Sequence, residues 1–394
     1  MNKPTKLLIC LCLALLLALT PICASAGEGE AIPVAGETDS LPVSVNAKAA
    51  VLMDAGSGQI LAQANEHEKL YPASVTKIMP LLLVMEALDG GGLSLADKVT
   101  ASRNAAGKGG SQIWLKEGEV MSVEELLKAA AIYSANDACT ALGEHIFGSE
   151  EAFVDALNRR ARELGMGDTH FDNGTGLDDA TTTHLTSAND VAIMSRELLK
   201  HPAILSYTTV WMDYLRDGET QLVNTNKLVR FYEGATGLKT GTTNKAGCCI
   251  SASAKRGDLQ LIAVVMGSPN SDERFNGAKA LLNWGFANYA ALTPVLDPAL
   301  VPPVKVLRGT SEEIQPKLPQ IAPVVMKKGE EGKLKQEIQL ALDVQAPVEE
   351  GQLLGRVIYS LDGKTLAEYP LTAPAAVEKM SFGEMFLRLL RALG

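Results

Sequence analysis

Residues 71–91 read YPASVTKIMPLLLVMEALDGG, and the folding of this stretch decides how the rest is read. From Ile78 the segment is strongly apolar, and it stops at paired glycines, so a helix is expected with Ser74 and Lys77 in its N-terminal turn. Residues three apart on a helix share a face, which brings a hydroxyl and an amine within reach of each other. A serine hydroxyl is a poor nucleophile until a base takes its proton, and a lysine kept neutral by burial and neighbouring cations can be that base. The helix start adds a backbone N–H and a dipole that favour a developing oxyanion. S-x-x-K is nevertheless a short pattern, and taken alone it reads more readily as a helix cap beside a surface lysine. Pro80 removes one backbone donor and is expected to bend the helix just past Lys77.

On the N-terminal side, AAVLMDAGSGQILAQAN (49–65) gives two strand-like runs around Asp54–Gly58, a hairpin. On the C-terminal side, helices are readable at SVEELLKAAAIY (122–133), NDACTALGEHIF (136–147), SEEAFVDALNRRARELGM (149–166) and SANDVAIMSRELLKH (187–201). From Thr236 the period changes. TGLKTGTT, AGCCISASAK and LQLIAVVMGS are β-branched or alternating, the last two joined through Arg256-Gly257-Asp258, and ERFNGAKALLNWGFANYA closes as a helix. Strands at both ends with helices between them make an α/β (α+β) unit with an antiparallel sheet and a helical insert. Within it Lys239-Thr240-Gly241 lines one strand edge, where an extended peptide could pair while the amine and hydroxyl meet its carboxylate. Gly241 permits close backbone approach.

Near Pro294 the composition shifts to short β-type segments with a hairpin signal at Asp362-Gly363, a small all-β domain. The final residues return to helix. At 100° per residue, Phe382, Met385, Phe386, Leu389, Leu390 and Leu393 share one arc while Glu384, Arg388 and Arg391 face away.

The N-terminus carries Lys3 and Lys6, an apolar run from Leu7 to Leu19 and the small-residue triplet Ala24-Ser25-Ala26, a secretory signal cleaved after Ala26. Residues 27–46, rich in Gly, Pro and acids, read as a disordered leader. The formal charge of −10 becomes −12 once Lys3 and Lys6 leave, which argues against nucleic-acid binding. Three cysteines, Cys139, Cys248 and Cys249, remain in the mature chain. Cys248 and Cys249 are adjacent on a strand and point to opposite faces, so no disulfide framework is expected. Five scattered histidines show no H-E-x-x-H spacing, and neither a metal nor another cofactor is expected.

Each short motif is commonplace, but the ordered set is not: S-x-x-K at a helix start, S-x-N between helices and K-T-G on a strand. This set resembles the active-site serine penicillin-recognising enzymes. The wider wording, YPASVTKIMPLLLVMEAL, YSANDACTALGEHI, NGTGLDDATTTHLTSANDVAIMSREL, GLKTGTTNKAG and RFNGAKALLNWGF, is similar to the low-molecular-mass penicillin-binding proteins that act as serine-type D-alanyl-D-alanine carboxypeptidases (peptidase family S11 type). The likeness runs from about Ala49 to the C-terminus. It implies a serine β-lactamase/transpeptidase-like catalytic domain over 47–293, a β-sandwich domain over 294–377 and a membrane-anchoring amphipathic helix over 378–394. S-A-N-D occurs twice, at 134–137 and 187–190. Either serine could cap a helix. The family pattern and an apolar helical context assign the catalytic place to the first copy, and the second reads as a capping box of Ser187 with Asp190.

The resemblance implies that Ser74 attacks the penultimate D-Ala carbonyl, Lys77 accepts its proton and Ser134 passes that proton to the leaving D-Ala. Asn136 binds the substrate amide, while Lys239, Thr240 and Gly241 line the terminal carboxylate. The oxyanion hole is formed by the N–H groups of Ser74 and Thr242. Arg274 draws in the carboxylate, or is a surface charge. The implied partners are the peptidoglycan stem peptide ending in D-Ala-D-Ala, β-lactams as inhibitors, and the outer face of the bacterial cytoplasmic membrane through 379–394. Two readings compete. A β-lactamase lacks support because MGDTHFDNGTGLDD (166–179) offers no E-x-x-L-N pattern. An inactive wall-binding homologue fits poorly with the full set of motif residues. Ala135 stands where the signature has aspartate.

Overall fold

The computed structural model describes residues 39–393. The predicted signal over 1–26 lies outside the described residues. A six-stranded sheet consists of β1 (Asp39–Ser40), β2 (Ala49–Asp54), β3 (Ile60–Ala64), β4 (Ala235–Thr243), β5 (Gly247–Arg256) and β6 (Leu259–Ser268). Its order is β1-β3-β2-β6-β5-β4, antiparallel throughout except that β1 runs parallel to β3. The two-residue turn between β5 and β6 places Leu259 opposite Arg256, with Gly257 at φ 59°, the left-handed conformation that tight hairpins require.

Period-two alternation sorts the strand residues between two cores. Val51, Met53, Val264 and Met266 face the larger one, completed by α1 (Ile78–Asp89), α2 (Val123–Lys128), α3 (Asn136–Phe147), α4 (Glu150–Glu163) and α5 (Ala188–Leu199). Ala50, Leu52, Ala263 and Val265 face the other, where α6 (Ser271–Asn288) contributes Phe275, Leu281 and Leu282. Both faces of the sheet are covered, which is why β2 and β6 read as near-continuous apolar runs.

The structure corrects four local expectations. The leader is not disordered from residue 39 onward: β1 pairs with β3, and Leu41, Val43, Val45 and Ala47 alternate inward against the smaller core. The helix expected over 122–133 divides into α2 and a π turn, Ala129–Tyr133. Pro80 does not sit in a helix interior, because a 3-10 turn over Ala73–Lys77 precedes α1 and leaves Pro80 in the first α turn, where a missing N–H is tolerated. Ser187 does cap α5 by accepting from the Asp190 N–H, but the reciprocal half of the box is missing. The Asp190 carboxylate instead accepts from the Asp168 N–H and the Thr169 hydroxyl.

The C-terminal β-rich domain contains β7 (Tyr289–Leu292), β8 (Val304–Leu307), β9 (Glu313–Ile314), β10 (Val324–Lys327), β11 (Lys335–Leu340), β12 (Asp343–Gln345), β13 (Leu353–Leu361) and β14 (Lys364–Thr372). β7 follows α6 and pairs antiparallel with β10. Asp362 and Gly363 both take positive φ in the two-residue turn between β13 and β14, as the D-G signal predicts. Tyr359 and Tyr369 meet edge to face inside one of its two cores. Then comes α7 (Phe382–Leu393). Cys139, Cys248 and Cys249 are free and buried. Among the described residues no helix is long and apolar enough to cross a membrane.

Residues 39–47 are therefore structural. Deleting them removes several half-buried apolar side chains and is expected to cost about 2–4 kcal/mol in urea unfolding; an unchanged unfolding midpoint would show the segment to be dispensable.

Candidate active site

Ser74 stands in the 3-10 turn, and the turn is under constraint from its first residue. Ala73 has φ 48°, a region uncommon for residues that carry a Cβ. Two glycines make space around it. A Cβ on Gly176 would lie 1.8 Å from the Ala73 carbonyl oxygen, and one on Gly241 would lie 2.7 Å from the Ser74 nitrogen. So β4 and the 173–177 loop close on the two sides of one peptide unit, which only residues without side chains permit.

Lys77 is fully buried, and its amine meets three acceptors: Ser74 Oγ at 3.0 Å, Asn136 Oδ1 at 2.5 Å and the Thr175 carbonyl at 2.8 Å. Burial disfavours the charged amine and lowers its pKa to about 8, against the opposing pull of Cys139 and Asp137. A sizeable neutral fraction beside a serine hydroxyl near neutral pH is what a general base requires.

Asn136 opens α3, and its amide is held from both ends. Nδ2 donates to the Gly109 carbonyl at 2.7 Å while Oδ1 receives Lys77. The buried Asp137 carboxylate accepts from the N–H groups of Ile113 and Leu115, strapping the 109–115 loop along the start of α3. Ser134 ends the π turn in the left-handed conformation, φ 71°, and is buried two residues ahead of Asn136. A π turn and a left-handed serine together are the kind of irregularity that clusters at functional sites.

On β4, burial and then the charges of Lys77 and Arg274 hold Lys239 well below the usual lysine range. Its amine donates to the Thr240 carbonyl at 2.9 Å, and the Thr240 hydroxyl donates to Thr225 Oγ1 at 2.8 Å. Arg274 is not a surface charge. It is 6% exposed, with Nη1 donating to the Gly241 carbonyl and Thr242 Oγ1, both at 3.1 Å. Three basic side chains thus gather around the serine turn and β4, and a positive charge carried there suits an anionic substrate group.

Sequence reasoning missed several members of this arrangement. The Thr175 carbonyl is a direct partner of Lys77, held by an Asx turn in which Asn173 Oδ1 accepts from the N–H groups of Thr175 and Gly176. Nothing in the N-G-T-G run says which carbonyl would face the amine. Thr225 and the Asp137 strap lacked any motif. The second S-A-N-D copy remains a helix start, its carboxylate engaged with Asp168 and Thr169.

This geometry can be set beside known proteins. The sequence model described as D-alanyl-D-alanine carboxypeptidase matches residues 35–270, and that described as penicillin-binding protein 5, C-terminal domain, matches residues 299–379. The chain is 43% identical over 340 residues to D-alanyl-D-alanine carboxypeptidase DacF of Bacillus subtilis, covering 85% of this chain and 87% of that one. Its fold matches penicillin binding protein 5 from Haemophilus influenzae with a TM-score of 0.75 and 31% identity, covering 86% and 99% of the two chains. It also matches penicillin-binding protein D2 from Listeria monocytogenes in its ampicillin-bound form, with a TM-score of 0.57 and 30% identity over 62% and 98%. The chain belongs to the D-alanyl-D-alanine carboxypeptidase family, as its ordered motifs led us to expect.

The lowered Lys77 pKa sets a pH dependence. Lys77 is an acceptor only when neutral, so acylation of Ser74 by an activated ester is expected to rise about tenfold per pH unit below pH ~8 and to level off above it. A flat profile between about pH 6 and 9 would remove Lys77 from the role of base.

Proposed function

We propose that Ser74 is the nucleophile through which this D-alanyl-D-alanine carboxypeptidase removes the terminal D-alanine from peptidoglycan stem peptides. The observation that carries the assignment is the fully buried Lys77 amine, 3.0 Å from Ser74 Oγ and with a pKa of about 8. Ser74 Oγ bonds to the carbonyl carbon of the penultimate D-Ala as its proton goes to Lys77. The peptide C–N bond then breaks, and the proton reaches the leaving D-Ala amine by way of Ser134. Water hydrolyses the ester and restores the serine. Asn136 holds the substrate amide. Lys239, Thr240, Gly241, Thr242 and Arg274 surround the terminal carboxylate, and the N–H groups of Ser74 and Thr242 receive the oxyanion. β-Lactams acylate the same serine; the ampicillin-bound structure of the Listeria protein supports this reading.

The membrane assignment rests on α7. Phe382, Met385, Phe386, Leu387, Leu389 and Leu390 are exposed, whereas Arg388 turns back to pair with Glu312 at 2.6 Å. An exposed apolar stripe on a helix held by its polar side suits the outer leaflet of the cytoplasmic membrane, reached after export on the 1–26 signal. In this reading 47–293 form the catalytic domain, 294–377 the β domain and 378–394 the anchor.

Two experiments test these assignments. Purified protein incubated with a pentapeptide ending in D-Ala-D-Ala is expected to release D-alanine, and Ser74→Ala is expected to release none; release by the variant would displace Ser74 as nucleophile. A chain truncated before Lys379 is expected to leave the membrane fraction, and continued sedimentation with membranes would exclude α7 as the anchor.

A further inference from the structure

His184 is completely buried, and nothing in the reaction above uses it. Its ring is nevertheless tied to the residue before the nucleophile. Nδ1 accepts from the Asp172 N–H at 3.0 Å, which leaves Nε2 as the protonated nitrogen of a neutral ring. Nε2 lies 2.8 Å from Thr76 Oγ1, and that hydroxyl donates onward to the Ala73 carbonyl at 2.8 Å. A threonine has one hydroxyl proton, so the imidazole donates to Thr76 and Thr76 donates to Ala73. Burial lowers the His184 pKa to about 4, in keeping with the neutral tautomer.

The carbonyl at the end of this relay belongs to the same planar unit as the Ser74 N–H. In a trans peptide the two groups point in opposite directions, so holding the Ala73 oxygen aims the Ser74 hydrogen. Ala73 is in the left-handed region and does not favour this orientation by itself. Gly176 leaves room for the carbonyl on one side, and Gly241 lies against the Ser74 nitrogen on the other.

We propose that His184, through Thr76, is a positioning residue that orients the Ala73–Ser74 peptide so that the Ser74 N–H meets the oxyanion. The relay acts on the transition state and not on substrate binding, because an oxyanion donor works only where its N–H meets the developing charge. The inference rests on Ser74 being the nucleophile.

The test uses the full chain with Thr76→Val, Thr76→Ser, His184→Leu and His184→Gln. Three quantities are read: the acylation rate with benzylpenicillin, the affinity of a D-alanine-like boronic acid that forms a tetrahedral adduct on serine, and KM for a peptide ending in D-Ala-D-Ala. Thr76→Val and His184→Leu are expected to lose roughly 10- to 100-fold in acylation rate and in boronate affinity together, with KM unchanged within about twofold. Thr76→Ser and His184→Gln, which keep a donor in place, are expected to recover most of both. Wild-type acylation by Thr76→Val overturns the proposal, and so does a rise in KM alone. Thr76→Val is nearly isosteric and decides the matter should His184→Leu fail to fold. Mass-spectrometric mapping of the penicillin adduct on wild-type protein separates the two readings: an adduct away from Ser74 overturns the nucleophile assignment whatever the variants do.

Discussion

An amine removed from water beside a serine hydroxyl is the constraint around which the catalytic unit is arranged. An unpaired buried ammonium is prohibitive, so Lys77 must be neutral for part of the time and hydrogen-bonded at all times. Its acceptors come from three separate places in the chain: the 3-10 turn, the first residue of α3 and the loop after α4. Only the assembled fold brings them together. Helical insert and sheet therefore cannot shift independently without exposing or orphaning that amine, and the many buried side chains of the larger core serve to hold this meeting point closed.

The same logic explains the backbone around Ser74. A strand can lie against a helix start at such short range only where one partner lacks a Cβ, and Gly241 and Gly176 supply that condition on opposite sides. Strained conformations at Ala73 and Ser134 are tolerated because the surroundings over-determine them. Arg274 follows from the sheet: α6 covers its second face and brings the guanidinium under the Gly241 carbonyl.

Legibility in the sequence divided along chemical lines. The placing of Ser74 beside Lys77 at a helix start and of Lys239 and Gly241 on a strand was readable, because it depends on side-chain type, or on having no side chain, at a fixed spacing, while Asn136 was reached only through the family resemblance. The Thr175 carbonyl was not, since every residue carries one and only the loop geometry aims it. His184 and Thr76 belong to no motif that joins them, and nothing in their spacing predicts that they touch across 108 positions. Strands β2 to β6, the long helices and the Asp362-Gly363 hairpin followed from periodicity and turn chemistry. Leu41, Val43, Val45 and Ala47 alternate as a strand would, yet the prolines, glycines and acids around them dominated the composition.

The way α7 is held bears on how the molecule behaves in a test tube. Glu312 and the Gly309 carbonyl hold Arg388, so the helix cannot roll to hide its apolar stripe against its own β domain without giving up those contacts. Among the described residues nothing covers that stripe. Detergent micelles or a second molecule must supply one, so the colloidal state of the purified protein depends on concentration and surfactant even where its catalytic unit does not.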